Sequence, residues 1–211
     1  VFSNRGRDIA PKLVGFRDVY ERYERVLHLH SKASSHDVEL NTWRTFLMDH
    51  LTGSEAVVRS IFEIFDADPR VGMIAPQHLE YVRIWINWGV NFQKGRALAA
   101  GFGVDISAED PLDFPSGSMF WARSAALKPL LDLDLSFEDF EAESGQKDAT
   151  LAHAIERVYF LCCQAAGFKV VKVALAEQFA DTSHIAAVNS QAELLQWLAD
   201  QTSGASPLRR L

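Results

Sequence analysis

The sequence predicts an α/β fold in which a mostly parallel sheet is flanked by helices. Stretches with helical spacing of apolar residues alternate along the chain with short apolar runs, an order typical of layered α/β domains. The 211 residues are 48% hydrophobic and 23% charged, which suits one domain with a sizeable core. We find no internal repeat and no low-complexity segment that would argue for a solenoid or a disordered chain.

Helices are predicted from apolar stripes and from their start and stop signals. Leu13, Phe16 and Val19 recur at helical spacing in the first of them. Ser54 precedes the third as an N-cap, and Asp68-Pro69 ends it. The predicted helices cover Ala10–Tyr23, Thr42–Leu51, Ser54–Phe65, Asn91–Ala100, Ser124–Leu131, Asp148–Gln164 and a last segment opened by the capping box Ser190-Gln191-Ala192-Glu193.

Strands are predicted where short apolar or alternating runs lie between turn signals. They cover Arg25–His30, Val71–Ala75, Ser118–Trp121 and Lys169–Ala174. The chain opens on Val1-Phe2-Ser3, which resembles the tail of a strand, so we expect an N-terminal part of the same protein, with further strands, before it. The segment 202–211 is predicted to be a flexible tail.

In open α/β sheets, ligands bind beyond the carboxyl ends of the strands. This rule selects four loops as candidate ligand-binding segments. They are Asn4–Asp8, Ser31–His36, Pro76–His78 and the acidic loop that ends at Asp148.

Composition excludes some classes of protein. A formal charge of -7 argues against a nucleic-acid partner, which would require a surplus of Lys and Arg. Cys162 and Cys163 are adjacent in an apolar run, a spacing typical of core residues in a reducing compartment. No stretch reaches the roughly 20 apolar residues of a membrane helix. We expect a cytoplasmic protein, and peripheral association with the inner face of the cytoplasmic membrane stays open.

The first polar cluster is Asn4-Arg5-Gly6-Arg7-Asp8, at a predicted strand-to-helix turn. Backbone N–H groups and two guanidinium groups there favour an anion such as a diphosphate. The alternative is a solvated turn in which Asp8 caps the following helix.

The second cluster is His28-Leu29-His30-Ser31-Lys32, in which strand alternation places both histidines on one face. It suits a phosphate or a sugar better than a metal ion. A metal ion would need a third ligand, and His36 is the nearby histidine that could supply it. The positive charge of Lys32 would oppose the cation. Surface histidines are the alternative.

The third cluster is a run of carboxylates, from Glu138 through Glu143 to Asp148, before a helix that carries His153, Glu156 and Arg157 on one side. This position suits a general base at the ligand-binding edge of the sheet. The alternative is a solvated charge array on the helix with Asp148 as its N-cap.

Taken in order, these clusters resemble the rhamnan synthesis protein F family over roughly residues 2 to 160. Two long motifs carry most of the resemblance. They are Phe114-Pro115-Ser116-Gly117-Ser118-Met119-Phe120-Trp121-Ala122-Arg123 and Gly145-Gln146-Lys147-Asp148-Ala149-Thr150-Leu151-Ala152-His153-Ala154-Ile155-Glu156-Arg157. Shorter matches are Asn4-Arg5-Gly6-Arg7-Asp8-Ile9, His30-Ser31-Lys32, Trp43-Arg44 and Gly72-Met73-Ile74.

The resemblance implies a GT-A-like glycosyltransferase that moves a sugar, typically rhamnose, from a nucleotide diphosphate donor such as dTDP-rhamnose to a growing polysaccharide, lipopolysaccharide or lipid-linked glycan. Residues 1–201 would be part of that domain, with its acceptor side and catalytic edge. In an inverting reaction Asp148, or next Glu143, would be the base. Arg5, Arg7, His30 and Lys32 would stabilise the diphosphate, Ser116, Gly117 and Trp121 would shape the acceptor side, and His153, Glu156 and Arg157 would order the base.

Two departures from the family pattern matter. Ala149 stands where the family helix usually opens Asp-Gly-Thr, which changes the backbone requirement at that position. His28–Lys32 stands where many GT-A enzymes have an Asp-x-Asp metal motif. Cationic side chains can take the place of Mg²⁺ at a leaving diphosphate, so a divalent metal stays open but is not indicated.

Two other functions compete with this interpretation. A non-catalytic glycan-binding or assembly module would use the acidic cleft and the tryptophans without any donor. A metal hydrolase would use His28, His30 and Asp148, although the spacing matches no metal motif. Trp85, Trp88 and Trp121 suit sugar stacking, but large aromatic residues more often belong to cores or interfaces.

Overall fold

The structure is a computed structural model that describes residues 4–31, 38–146, 148–175 and 209–210. Its centre is a four-stranded sheet in the order β1-β4-β2-β5. The strands are β1 (Arg25–His28), β2 (Val71–Pro76), β4 (Phe120–Arg123) and β5 (Lys169–Val173). A separate two-residue pairing joins β3 (Val104–Asp105) to β6 (Arg209–Arg210), inside the segment predicted to be a tail.

The prediction of a mostly parallel sheet is wrong. Strand β4 lies between β1 and β2 and is antiparallel to both, with Val26 opposite Ala122 and Met73 opposite Ala122. Only the pair β2 and β5 is parallel among the described strands of this sheet. The error arises because a buried strand has the same apolar pattern in either direction. Its consequence is that β4 begins at the edge where β1, β2 and β5 end.

Helices cover both faces of this sheet. The described α-helices are α1 (Arg17–Arg22), α2 (Val38–Thr52), α3 (Glu55–Ala67), α4 (Phe92–Gly101), α5 (Lys128–Leu131) and α6 (Leu151–Ala165). Shorter helical segments are the π-helical Pro11–Gly15 and the 3-10 segments Glu80–Trp85, Ser124–Leu127 and Phe137–Asp139.

The core has two main parts, one on each face of the sheet. On one face α6 contributes Ile155, Val158 and Tyr159, which pack with Met73 and Phe120. On the other face α2 and α3 contribute residues such as Leu47, Leu51 and Phe65. Because β2 and β4 are covered on both faces, the strands at the centre are the best-buried part of the fold.

Most predicted elements in the described part are confirmed, with ends that move by a few residues. Ser54 caps α3, since its Oγ accepts a hydrogen bond of 3.2 Å from the Val57 amide. Cys162 and Cys163 are buried free thiols, as predicted. The strand end 1–3 and the helix that begins near 190 lie outside the described residues. Within the described part, no helix is both long and apolar enough to cross a membrane.

Candidate functional site

The first and third predicted clusters meet at the edge of the molecule where Asn4–Asp8 packs against the acidic loop. Arg5 Nη1 donates to the Phe140 carbonyl at 2.8 Å, and Arg7 Nη2 donates to the Gln146 carbonyl at 2.6 Å. The Arg7 amide donates to Glu143 Oε1 at 3.0 Å. The Glu143 amide in turn donates to the Asn4 carbonyl at 3.3 Å. The turn is therefore held in place by tertiary hydrogen bonds.

Gly6 makes this close approach feasible. Its φ is +66°, and a Cβ at this position would lie 2.5 Å from both Ala10 Cβ and Phe140 Cδ1. The following residue, Arg7, is also left-handed, with φ of 57°. A side chain at position 6 would push the turn away from the acidic loop, so a glycine is required here.

Asp8 does not cap a helix but forms an ion pair inside the molecule. Lys12 Nζ lies 2.7 Å from Asp8 Oδ2, and His30 Nε2 lies 3.9 Å from the same oxygen. Burial raises the pKa of Asp8, but the Lys12 and His30 charges outweigh this and keep it below its ordinary value. Lys12, which the sequence analysis did not single out, neutralises the carboxylate. Its place one helical turn after Asp8 was the available signal.

The two histidines of the second cluster have different environments. His28 is buried, shares a hydrogen bond of 2.7 Å with the Tyr20 hydroxyl and packs against Phe120. His30 lies at the sheet edge, where Nε2 donates to the Gly117 carbonyl at 2.7 Å. Among the described residues no group of His, Cys, Asp and Glu is arranged to hold a metal ion. The Lys12 ammonium on Asp8 would also oppose a cation at this position.

The turn Pro115–Ser118 leads into β4 and brings the second cluster to helix α6. The Gly117 amide donates to Glu156 Oε1 at 2.8 Å, while the Ser118 carbonyl accepts from Lys12 Nζ at 3.0 Å. Gly117 and Ser118 are both left-handed, with φ of 84° and 54°. This turn joins the predicted residues His30, Gly117 and Glu156 in one hydrogen-bonded chain.

Behind this turn, Ser116, His78 and Asp113 form a hydrogen-bonded series. His78 Nδ1 shares a bond of 2.9 Å with Ser116 Oγ, and His78 Nε2 shares one of 2.7 Å with Asp113 Oδ1. The set has the composition of a serine-hydrolase triad. However, Ser116 is buried and the neighbouring Gly117 amide is already bonded to Glu156. The series therefore holds the turn in place rather than presenting a nucleophile.

Asp148 lies before α6 and is not its cap. Thr150 is the N-cap, in a reciprocal capping box with His153. The Asp148 carboxylate instead accepts a hydrogen bond of 2.6 Å from Asn91 Nδ2 and lies 3.7 Å from Arg157 Nη2. Burial raises the pKa of Asp148, but the Asn91 hydrogen bond, the Ala149 amide and the Arg157 charge outweigh it and lower this pKa. The carboxylate is therefore ionised at neutral pH, and 37% of its surface remains exposed.

His153 and Arg157 are buried, so the alternative of a solvated charge array does not apply to them. Arg157 Nε donates to the Asn87 carbonyl at 2.8 Å, and its guanidinium lies 5.5 Å from the centre of the Phe114 ring. The His153 carbonyl accepts from Arg157 Nη1 at 2.9 Å. Arg157 thus connects Asp148 with the loop that precedes Ser116.

Several polar atoms around Asp148 are buried without a hydrogen-bond partner in the described part of the chain. They are His153 Nε2, Asn91 Oδ1 and Trp88 Nε1. His153 Nδ1 accepts from the Thr150 amide at 3.3 Å, so the proton of the neutral ring is on Nε2. Burial, together with the Arg7 charge, lowers the pKa of His153. Unpartnered buried polar atoms are rare in proteins, and Asn91, which carries one of them, is bonded directly to Asp148.

Some predicted residues lie elsewhere. Trp121 faces α2 and α3, where Nε1 donates to the Leu51 carbonyl at 3.1 Å, and this places it apart from Asp148. Trp85 is 62% exposed, whereas Trp88 is half-buried against Phe92. Lys32 and His36 lie outside the described residues. Asn91 and Asp113 were not predicted, because single polar residues in loops carry no pattern.

Comparison with known proteins agrees with this arrangement of motifs. The family described as Rhamnan synthesis protein F matches residues 1–168. Two relatives, both named uncharacterized protein WxcX, come from Xanthomonas campestris pv. campestris strains B100 and ATCC 33913 and are each 44% identical to this chain over 174 residues. The alignment covers 82% of this chain but only 24% of each relative.

The chain thus spans about a quarter of the length of the curated relatives it matches. No solved structure matches it. The family match includes both long motifs, and these motifs supply the turn before β4 and the loop that carries Asp148. The chain belongs to the rhamnan synthesis protein F family.

Proposed function

We propose that this chain forms the acceptor side and catalytic edge of a GT-A-like glycosyltransferase, which moves rhamnose from a nucleotide diphosphate donor to a growing bacterial surface polysaccharide or lipopolysaccharide. The observation that carries the proposal is the Asp148 carboxylate, which is ionised, partly exposed and hydrogen-bonded to the buried Asn91, whose Oδ1 has no partner in the described part of the chain. The family's role in rhamnan synthesis supports the choice of sugar.

In the proposed reaction Asp148 acts as the general base. It takes the proton of the acceptor hydroxyl while that oxygen attacks the anomeric carbon of the donor sugar. The bond from the anomeric carbon to the phosphate oxygen breaks, and the nucleoside diphosphate leaves with the electron pair. This single displacement inverts the anomeric centre. General-base assistance of this kind contributes about 10²- to 10⁴-fold to the rate.

Asn91 and Arg157 position the base. Asn91 Nδ2 fixes one carboxylate oxygen at 2.6 Å, and Arg157 keeps the group ionised from 3.7 Å. His153 bonds to Thr150 at the start of α6 and so holds the end of the helix next to Asp148 in place. These groups order the base, whereas proton transfer falls to Asp148.

Cationic side chains at the sheet edge stabilise the leaving diphosphate. Arg7 is exposed in the turn against the acidic loop, and its charge reaches the His153 ring. Arg5 and His30 lie on either side of Gly6 and Asp8, with Lys32 following in sequence. In the proposed mechanism these side chains neutralise the charge that develops on the leaving diphosphate.

The proposed substrates indicate where in the cell the protein acts. The donor is dTDP-rhamnose or a similar sugar nucleotide, and the acceptor is a polysaccharide or lipid-linked glycan. Such donors are used in the cytoplasm, so we place the enzyme there, at the inner face of the cytoplasmic membrane. The rest of the protein would complete the donor site.

Transfer assays with Asp148→Asn test the proposal. We expect rhamnose transfer from dTDP-rhamnose to fall by about 10²-fold or more, because the amide cannot accept the proton. Asp132→Asn is the matched control, since Asp132 is exposed and pairs only locally with Lys128. Normal transfer by Asp148→Asn together with loss in Glu143→Gln would move the base to Glu143. Absence of any donor turnover in the wild-type protein, with glycan binding retained, would instead indicate a glycan-binding module.

A further inference from the structure

A separate cavity of about 310 Å³ lies next to the candidate site, on the far side of Trp88. The loop 106–113 forms one wall, and β5 contributes Lys172 to another. Phe160, Leu161 and Gln164 of α6 line it as well. None of these lining residues has a role in the mechanism above.

The cavity and the site around Asp148 share helix α6 and the loop that contains Asp113 and Phe114. Arg157, Leu161 and Gln164 are spaced i, i+4 and i+7 on α6, so they share one face, and Leu161 lies about 6 Å further along the helix than Arg157. Phe114 lies under the Arg157 guanidinium, and the preceding residue, Asp113, lines the cavity. Helix α6 therefore serves both regions, with Arg157 at Asp148 and with Leu161 and Gln164 at the cavity.

Trp88 lies between the site around Asp148 and the cavity. Its carbonyl accepts a hydrogen bond of 3.1 Å from Asn91 Nδ2, the same group that holds Asp148. Its ring lines the cavity, and its Nε1 is buried without a hydrogen-bond partner in the described part of the chain. The apolar face of an indole suits the carbon face of a sugar ring.

The polar wall of the cavity is rigid. Lys172 Nζ donates to both oxygens of Asp113, at 3.0 and 2.9 Å, and His78 holds the same carboxylate from behind. Burial raises the pKa of Asp113, but the His78 hydrogen bond and the Lys172 charge outweigh it, so the pKa is lowered and the group is ionised. Fixed donors and acceptors of this kind select a ligand by the arrangement of its hydroxyl groups.

The charges decide the chemical class of the ligand. The lining carboxylates are Asp110 and Asp113, the lining ammonium group is that of Lys172, and the Arg83 charge acts on Lys172 from outside the lining. Because the Lys172 ammonium is already paired with Asp113, the wall favours a neutral ligand over a phosphate or a uronic acid. The apolar remainder, with Ile106, Leu112 and Phe160, suits the carbon face of a neutral sugar.

We propose that this cavity is a subsite for a neutral sugar residue of the acceptor glycan, away from the hydroxyl that reacts at Asp148. The inference rests on the proposed function for the identity of the glycan. The subsite would hold one sugar of the growing glycan in a fixed position while the end of that glycan lies at Asp148. Longer acceptors should therefore bind more tightly than a single sugar.

Calorimetric titration of the protein with a neutral rhamnose oligosaccharide tests the subsite. Gln164→Trp places an indole in the cavity and should weaken binding at least tenfold. Gln93→Trp on the exposed surface of α4 is the matched control and should bind like the wild type. Leu112→Trp fills the cavity from the opposite wall, and a normal melting temperature confirms folding. On titration of the wild type, the NMR signal of the Trp88 indole N–H should shift, which requires no variant.

The outcomes separate the two proposals. Unchanged affinity in both filling variants, an unmoved Trp88 signal or no binding by the wild type would overturn the subsite. The affinity for dTDP-rhamnose should be unchanged in every variant. Competition between the donor and the oligosaccharide for the cavity would also overturn the subsite. Cavity-dependent glycan binding without any sugar transfer would remove the proposed enzyme while keeping the subsite. Normal sugar transfer, together with glycan binding that the filling variants do not weaken, would remove the subsite while keeping the proposed enzyme.

Discussion

Asn91 donates a hydrogen bond of 2.6 Å to Asp148 across 57 residues of sequence. Asn91 is fully buried, and its other amide atom, Oδ1, has no partner in the described part of the chain. A buried amide with one free acceptor is costly unless a ligand uses it. In the proposed mechanism the pair would therefore connect the position of Asp148 with the binding of substrate.

Removal of this hydrogen bond should change the pH dependence of transfer. The bond is one of the effects that lower the Asp148 pKa, so Asn91→Ala should raise that pKa. The base is then protonated at higher pH, and the acidic limb of the profile of kcat/KM should move to higher pH. Thermal melting of the variant shows whether the small cavity that the substitution leaves has destabilised the fold. An acidic limb that stays in place, with a normal fold, would separate Asn91 from the base.

Ala149 is expected to strain the loop before α6. Its φ is 73°, a left-handed conformation that costs a residue with a Cβ about 1–2 kcal/mol. Glycine avoids this cost but loses about 0.5–1 kcal/mol of chain entropy on folding. Ala149→Gly should therefore stabilise the protein by roughly 0.5–1 kcal/mol.

Urea unfolding measures this effect, and Gly145 supplies the reciprocal variant. Gly145 has φ of +80°, and a Cβ there would meet no atom of the described residues within 4 Å, apart from its chain neighbours. Gly145→Ala should thus destabilise by about 1 kcal/mol through backbone conformation alone. If Ala149→Gly lowers the urea midpoint, the left-handed geometry at this position is not the source of strain.

Asp68 is predicted to stabilise the fold in a pH-dependent manner. Its carboxylate accepts hydrogen bonds from Arg70 Nε at 2.9 Å and Lys169 Nζ at 3.2 Å. The Arg70 hydrogen bond is the main reason that the pKa of Asp68 is lowered to about 2. This stabilisation is present above the unfolded-state pKa of 3.8 and is lost as the pH falls towards 2.

Asp68→Asn should therefore lower the free energy of unfolding by about 2 kcal/mol at pH 7, and by much less near pH 2. Asp66→Asn is the control, because the Asp66 side chain is 63% exposed in its pair with Arg25. Exposed pairs contribute little, so this variant should lose under about 1 kcal/mol. Equal losses for the Asp68 variant at both pH values would contradict the linkage.

His28 should make the fold sensitive to mild acid. Burial, with a smaller contribution from the Lys12 charge, holds the pKa of His28 well below its ordinary value of 6.5. Below pH 6.5 the unfolded chain binds a proton that the folded chain does not, so stability falls by up to about 1.4 kcal/mol per pH unit. In His28→Phe this part of the slope between pH 6 and pH 5 should vanish. A slope equal to that of the wild type would show that His28 titrates normally.

The sequence allowed prediction of the helices and strands better than of their arrangement. Apolar stripes and caps placed α3 and α4 within one or two residues, since these signals are local. The direction of β4 was wrong, because an all-buried strand has no directional pattern. Motifs singled out Asp148, Arg7 and His30 as candidates, and the structure places Arg7 against the loop that ends at Asp148 and His30 near Asp8, while their roles stay predictions. Asn91, Lys12 and His78 were missed because their roles depend on tertiary contacts.

The reversed direction of β4 has a consequence for the loop that precedes it. Its two neighbours fix the strand in the centre of the sheet, so the strand itself tolerates little change. The loop 106–118 is anchored by buried Ile106 and by the Asp113 bonds to His78 and Lys172, and it supplies both a wall of the cavity and the turn before β4. Substitutions within this one loop would therefore reshape the cavity wall and the turn together, while the order of the strands stays the same.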